Sequence, residues 1–352
     1  MKRTPSIILS FSLLVLCGCS LLPGADDYPL AEAGPYHVGI LKMVGYEDAS
    51  RDGRQIYLTI WYPTRSQEAI GIESLVDAPP DLTAAPYPLI ISSTQLGFFF
   101  AQHMVSHGFV VMGLNNQGPS NLWGEWLIDY PLDILFALDQ VASHPPEVME
   151  GMIDAEYAGF MGYSFDGYNA LAVSGARVDP EYYLSQCSNP ASTLPAWWIE
   201  YICTPASDWE AFVSHAGADL TTSNDGLWQP MTDERIRAVM PMAPEGAWLF
   251  GERGLAAVDR PVLIIGATAD TINLYDQEAC FIYDNLGAQD KGMISFVDQV
   301  HGMIDDPDML ARMKHFAVAF FGYHLQEKTE YLEFFSRQYV LRHDGLAWGV
   351  YR

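Results

Sequence analysis

Basic residues are scarce in this chain, with 18 Lys and Arg against 44 Asp and Glu and a formal net charge of −26. A polyanion repels phosphate backbones, which excludes nucleic acid as a partner and disfavours broad adhesion to anionic lipid. Long apolar runs are missing too. The largely apolar stretch Ile7 to Leu16 is ten residues, too short to cross a bilayer. Internal repeats and low-complexity segments are lacking, which excludes a repeat array. Cysteine is sparse, with five in all, two of them near the amino terminus. What the chain has is core material: 49% of its 352 residues are hydrophobic and 18% charged, the composition of one large globular α/β domain with an insertion.

The amino terminus reads as a targeting segment. Lys2 and Arg3 precede the apolar stretch, which ends in Leu16-Cys17-Gly18-Cys19. Leu-x-Gly-Cys resembles the bacterial lipobox. That resemblance implies a signal peptide over residues 1–18, a lipidated Cys19, a tether over residues 19–35, and a membrane anchor at an extracytoplasmic site, the outer membrane in a Gram-negative cell. Three cysteines remain. In an oxidising compartment a bridge between Cys187 and Cys203, sixteen positions apart, would leave Cys280 free; three buried thiols are the alternative.

From residue 36 onward the hydrophobic pattern alternates between strand and helix. His37–Val44 and Gln55–Tyr62 read as an antiparallel opening pair. Pro88–Ser93, Phe109–Leu114 and Tyr157–Met161 are unbroken apolar strands, separated by helical stretches at Phe98–Ser106 and Leu127–Ser143. This rhythm predicts parallel βαβ units buried on both faces. It breaks at 178–232, rich in Trp, Tyr and Pro, which reads as an insertion serving either as a lid or as subdomain packing. It resumes at Ile236–Met242, Pro261–Gly266 and Met293–Val297, and closes with a helix at Met309–Tyr323. Asp305-Asp-Pro-Asp308 is expected to cap that helix.

The chemistry concentrates at three strand ends. Gly162-Tyr-Ser164-Phe-Asp-Gly167 lies between an apolar strand and an apolar helix, the setting in which a strained turn projects a serine hydroxyl from a sheet edge. Asp270 follows the strand Pro261–Gly266, and His301 follows the last strand. The order Ser164, Asp270, His301 is that of a nucleophile, an acid and a base in an α/β-hydrolase. The expected roles are attack by Ser164, proton transfer by His301 and orientation of the imidazole by Asp270. Backbone N–H groups of Phe165 and Leu96 are the expected oxyanion donors. Asp276 and Asp298 compete with these assignments, Asp298 being placed inside the strand. His103, His107, His215, His315 and His324 read as packing or surface residues.

Gly-x-Ser-Phe-x-Gly, the Ser93–Gly97 loop, Trp61-Tyr62-Pro63 and Pro261-Val-Leu-Ile-Ile-Gly-x-x-x-Asp270 together resemble the platelet-activating-factor acetylhydrolase and dienelactone-hydrolase-like serine esterases, over roughly His37 to Tyr323. The resemblance implies an α/β-hydrolase fold, no cofactor or metal, and hydrolysis of short, lipid-derived or polyester-like acyl esters. The chain departs from the family at two places. Thr94-Gln95 stands where the family has His-Gly, and Asp166 stands where it has glycine. A carboxylate in the first helical turn suits the helix dipole, yet it opposes an oxyanion developing nearby. Those departures keep open a catalytically silent binding protein. A serine peptidase is a further alternative, disfavoured because no propeller domain restricts access.

Overall fold

The computed structural model describes residues 27–66, 75–115 and 123–352. The signal segment, Cys19 and residues 20–26 of the expected tether lie outside the described residues. In chain order the elements are β1 (His37–Asp48), β2 (Arg54–Thr64), β3 (Leu75–Val76), β4 (Tyr87–Ser93), α1 (Thr94–Ser106), β5 (Val110–Asn115), α2 (Trp123–Ser143), β6 (Ile153–Tyr163) and α3 (Phe165–Val173). There follow α4 (Pro180–Ser188), α5 (Ala196–Ile202), α6 (Trp209–Thr221), β7 (Ile236–Met242), α7 (Ala247–Leu255), β8 (Val262–Ala267), α8 (Phe281–Asn285), β9 (Lys291–Phe296), α9 (Pro307–Leu325), α10 (Arg337–Val340) and β10 (Leu346–Trp348).

The strands form one mostly parallel sheet of ten, in the order β10-β9-β8-β7-β6-β4-β5-β2-β1-β3. The opening pair β1–β2 is antiparallel, as the sequence predicts. From β4 to β9 every neighbouring pair is parallel. Alternate residues of each strand feed opposite layers, because successive strand side chains point to opposite faces. Leu89 and Ile91 of β4 pack on one side with α2, α3 and α7, whereas Ile90 packs on the other with α1 and α9. All three are fully buried, which is why the strand reads as a continuous apolar run.

Chain progression reverses between β4 and β6. After β4 the chain builds outward through β5, and from β6 onward it builds in the opposite direction. Such a switch point opens a crevice beyond the carboxyl ends of the two strands. Residues from the end of β4 and the turn after β6 line one cavity there.

The insertion contains three helices, α4 to α6, and no strand. A bridge joins Cys187 to Cys203, and Cys280 is a buried free thiol whose pKa burial pushes up to about 12. Most of the insertion's aromatic residues face inward. Tyr183 packs against Trp209 and Trp248 at centroid distances of 5.4 and 5.7 Å, and Phe212 stacks on Trp228 at 5.4 Å. His215 of α6 contacts Asp129 of α2 at 3.0 Å. Asp129 in turn holds Arg54, which is bound by Asp133 through two hydrogen bonds of 2.8 Å. The carboxy-terminal stretch adds β10 antiparallel to β9. Asp306 caps α9 as expected, accepting from the N–H groups of Asp308 and Met309. Among the described residues no helix is long and apolar enough to cross a membrane.

Candidate active site

Ser164 stands between β6 and α3 at φ 58°, ψ −120°, a region an L-residue occupies only when its surroundings over-determine it. Two glycines supply that constraint. A Cβ on Gly162 would lie 1.9 Å from the carbonyl oxygen of Asp166, and one on Gly167 would lie 2.7 Å from Pro244. The second tight approach therefore falls at position 167, one step later than in the usual pattern, and position 166 can carry a side chain. The Ser164 N–H donates to the Met242 carbonyl of β7 at 2.9 Å, locking the turn to the adjacent strand.

The other two strand ends converge on this hydroxyl. His301 Nε2 is 2.9 Å from Ser164 Oγ, and His301 Nδ1 is 2.7 Å from Asp270 Oδ2. The other oxygen of Asp270 accepts from the backbone N–H groups of Ile272 and Asn273 at 2.8 and 3.0 Å. These bonds fix the orientation of the carboxyl group. Asp270 is 6% exposed. The sheet order puts β6, β7, β8 and β9 side by side, so the three residues occupy the carboxyl ends of one set of parallel strands. Asp276, by contrast, is exposed at the start of a π-helical turn. Asp298 lies beyond the strand rather than inside it. β9 ends at Phe296, and Asp298 takes φ 59° in a turn, where its N–H donates to the Thr268 hydroxyl.

The five remaining candidate histidines stay away from Ser164. His103 and His107 contact the Leu30 and Glu32 carbonyls. His315 accepts from the Leu30 N–H, and burial depresses its pKa to about 3. His324 packs on Phe320.

The oxyanion assignment needs one correction. Ser93–Gly97 is not a loop, because α1 begins at Thr94 directly after β4. Ser93 is its N-cap, and its hydroxyl accepts the Leu96 N–H at 3.2 Å. The Leu96 amide is thus spent on the cap, and its side chain is buried. Thr94 and Gln95, the first two residues of the helix, line the cavity with Ser164 and Phe165. Amides in a first helical turn have no intrahelical acceptor. These two now stand where Leu96 was expected.

Several groups at the site were not singled out from the sequence. The Asn273 side-chain amide donates to the Ala243 carbonyl at 2.8 Å and reaches Ser164 Oγ at 3.4 Å. The Tyr163 hydroxyl donates to the His301 carbonyl. Two buried acids flank the triad. Glu245, in the turn after β7, receives the Tyr201 hydroxyl at 3.0 Å from each carboxyl oxygen. Burial pushes its pKa up to about 7, with Tyr201 and His301 opposing the rise. Glu278 accepts the Ala247 N–H at 2.9 Å, and burial together with the nearby Glu245 raises its pKa well above the carboxylate range. The rule that singles out Asp270, an acid just past a buried strand, also points to Glu245 after Ile236–Met242.

The cavity beside Ser164 has a volume of about 770 Å³. Tyr201 lines it, and is the one residue of the insertion that does so among those described. Asp166 also lines it. Asp166 takes side-chain hydrogen bonds from Ser93 and from Asn169, the latter at 3.0 Å. Burial raises its pKa and both bonds lower it. A second groove, of about 470 Å³, opens at the amino-terminal ends of the strands near Tyr36, Pro88 and Lys328, far from Ser164. No group of three or more metal-ligating side chains is arranged to hold an ion among the described residues.

No protein-family model matches the chain, and no curated protein matches it by sequence.

Proposed function

We propose that this protein is an α/β-hydrolase-type serine esterase acting through Ser164, His301 and Asp270. The observation that carries this reading is the unbroken hydrogen-bonded line from Ser164 Oγ through the imidazole to Asp270, at 2.9 and 2.7 Å. In the proposed reaction His301 Nε2 takes the Ser164 proton as Oγ attacks the ester carbonyl carbon. The carbonyl electron pair moves onto oxygen, where the Phe165 amide and the Thr94 or Gln95 amide would stabilise it. Collapse expels the alcohol, which takes its proton from His301 and leaves an acyl-enzyme. Water, deprotonated by the same imidazole, then releases the acid. Asp270 orients the ring and stabilises the imidazolium.

The acyl esters implied by the family resemblance, short, lipid-derived or polyester-like, remain the proposed substrates. The lipobox-like Leu16-Cys17-Gly18-Cys19 supports a lipid-anchored, extracytoplasmic enzyme, and the Cys187–Cys203 bridge agrees with an oxidising compartment. Asp166, which lines the cavity with Ser164 and Phe165, favours the second reading, a silent binding protein, because a carboxylate there opposes a developing oxyanion.

A fluorophosphonate probe separates the two. The wild type is expected to be labelled and Ser164→Ala is not. An unlabelled wild type would overturn the esterase reading. Hydrolysis of nitrophenyl esters of increasing acyl length then defines the acid accepted.

A further inference from the structure

We propose that the cavity beside Ser164 takes an ester bearing a cationic, ammonium-type group, with Asp166 as its counter-charge and aromatic side chains as its walls. This rests on the esterase reading above. The described lining includes six aromatic residues, Phe98, Trp126, Tyr130, Tyr163, Phe165 and Tyr201. Trp126 and Tyr130 stack at 5.7 Å with 15° between their planes, and Phe165 meets Tyr130 edge-on at 5.7 Å. Aromatic faces attract ammonium groups, most strongly where water is excluded.

Among the described residues one charged residue joins them on the lining, Asp166, and no Lys, Arg or His does. Asp166 is braced rather than neutralised. Burial raises the Asp166 pKa, and against it Asn169, 1% exposed, and Ser93, 8% exposed, direct donors at the carboxyl group that favour the ionised form. The basic side chain nearest Tyr130 is Arg54, already held by Asp129 and Asp133. A carboxylate with donors but no cation, on an aromatic wall, is half of an ion pair whose other half can come from the substrate.

The same arrangement answers the objection that Asp166 opposes the oxyanion. A bound cation offsets the carboxylate during the chemical step. A neutral ester leaves the repulsion in place. Discrimination is therefore expected in kcat as well as KM.

The test compares butyrylcholine with its uncharged carbon isostere, 3,3-dimethylbutyl butyrate. Wild type is expected to favour the cationic ester about tenfold in kcat/KM. Asp166→Asn should lower the ratio several-fold, to what the aromatic walls alone confer, chiefly by raising turnover of the neutral ester. In wild type the ratio should also fall as pH drops and Asp166 takes up a proton. The titratable group facing it is Tyr130 from α2, whose pKa burial raises, so it stays neutral in that range. A labelled wild type that hydrolyses the two esters equally, or an unchanged ratio in Asp166→Asn, overturns the proposal. Binding gives an arm that needs no turnover. In Ser164→Ala, phenyltrimethylammonium should bind more tightly than tert-butylbenzene by calorimetry, and equal affinities sink the idea. A protein that escapes the fluorophosphonate yet binds the ammonium selectively would refute the esterase reading alone.

Discussion

The sheet edge and the insertion beside it are built on opposite terms. At the edge, backbone contacts leave no choice: Gly162 and Gly167 touch neighbouring main chain, and Ser164 is locked to β7 by its own N–H. The insertion is held by stacked rings, one bridge and the hydroxyl of Tyr201. Steric constraint fixes a geometry to fractions of an ångström, whereas ring packing tolerates adjustment. The edge therefore suits a reacting group, and the insertion suits the part of a cavity that can vary.

The sharpest way to break this contrast is Gly162→Ala. The new methyl would sit 1.9 Å from a main-chain oxygen, so the variant is expected to lose folded yield or probe labelling altogether. Normal labelling with an unchanged melting temperature would show that the turn is far softer than argued. The bridge gives the next largest effect. Replacing Cys187 and Cys203 by serine reopens a loop with a sequence separation of 16, an expected loss of about 3 kcal/mol in the chain-entropy account. Denaturant unfolding measures it, and labelling of the protein that remains folded should persist.

Glu245 joins the two regions and sharpens the contrast through pH. Its folded pKa, about 7, lies above the ordinary value of 4.5. A raised acid favours the folded state in its protonated form. The stabilisation is thus complete below pH 4.5 and disappears as pH climbs toward 7, by about 3 kcal/mol in all. Glu245→Gln should flatten the fall in melting temperature between pH 5 and pH 8, and an identical slope would contradict the assignment. The smallest effect is expected from Tyr201→Phe, about 1 kcal/mol for a hydrogen bond to a buried acid. Its melting curve and its cationic-to-neutral ester ratio should both shift modestly.

The same division explains what the sequence revealed. Strands β4 to β9 were legible because burial on both faces leaves an unbroken apolar run, and Ser164, Asp270 and His301 because each follows such a run. The start of α1 was not, since Thr94-Gln95-Leu96-Gly97 has no strong helical pattern and the Ser93 cap announces it only once the helix is known. With the helix start known, the proposed oxyanion donor moves from Leu96, whose amide the Ser93 cap takes, to Thr94 or Gln95. Asn273 and Tyr201 act through distances between elements remote in the chain, and no local spacing encodes those. The aromatic residues at 178–232 were ambiguous between lid and packing. Most of them pack inward, and Tyr201 reaches the cavity.

The bond from the Tyr163 hydroxyl to the His301 carbonyl has a mechanical meaning. Tyr163 is the last residue of the strand that leads into Ser164, so the segment carrying His301 after β9 is tied to β6 as well. A shift of β6 would therefore pull on the His301 turn as well as on Ser164. Breathing of the surrounding shell on warming should widen the entrance well before it separates Ser164 from His301.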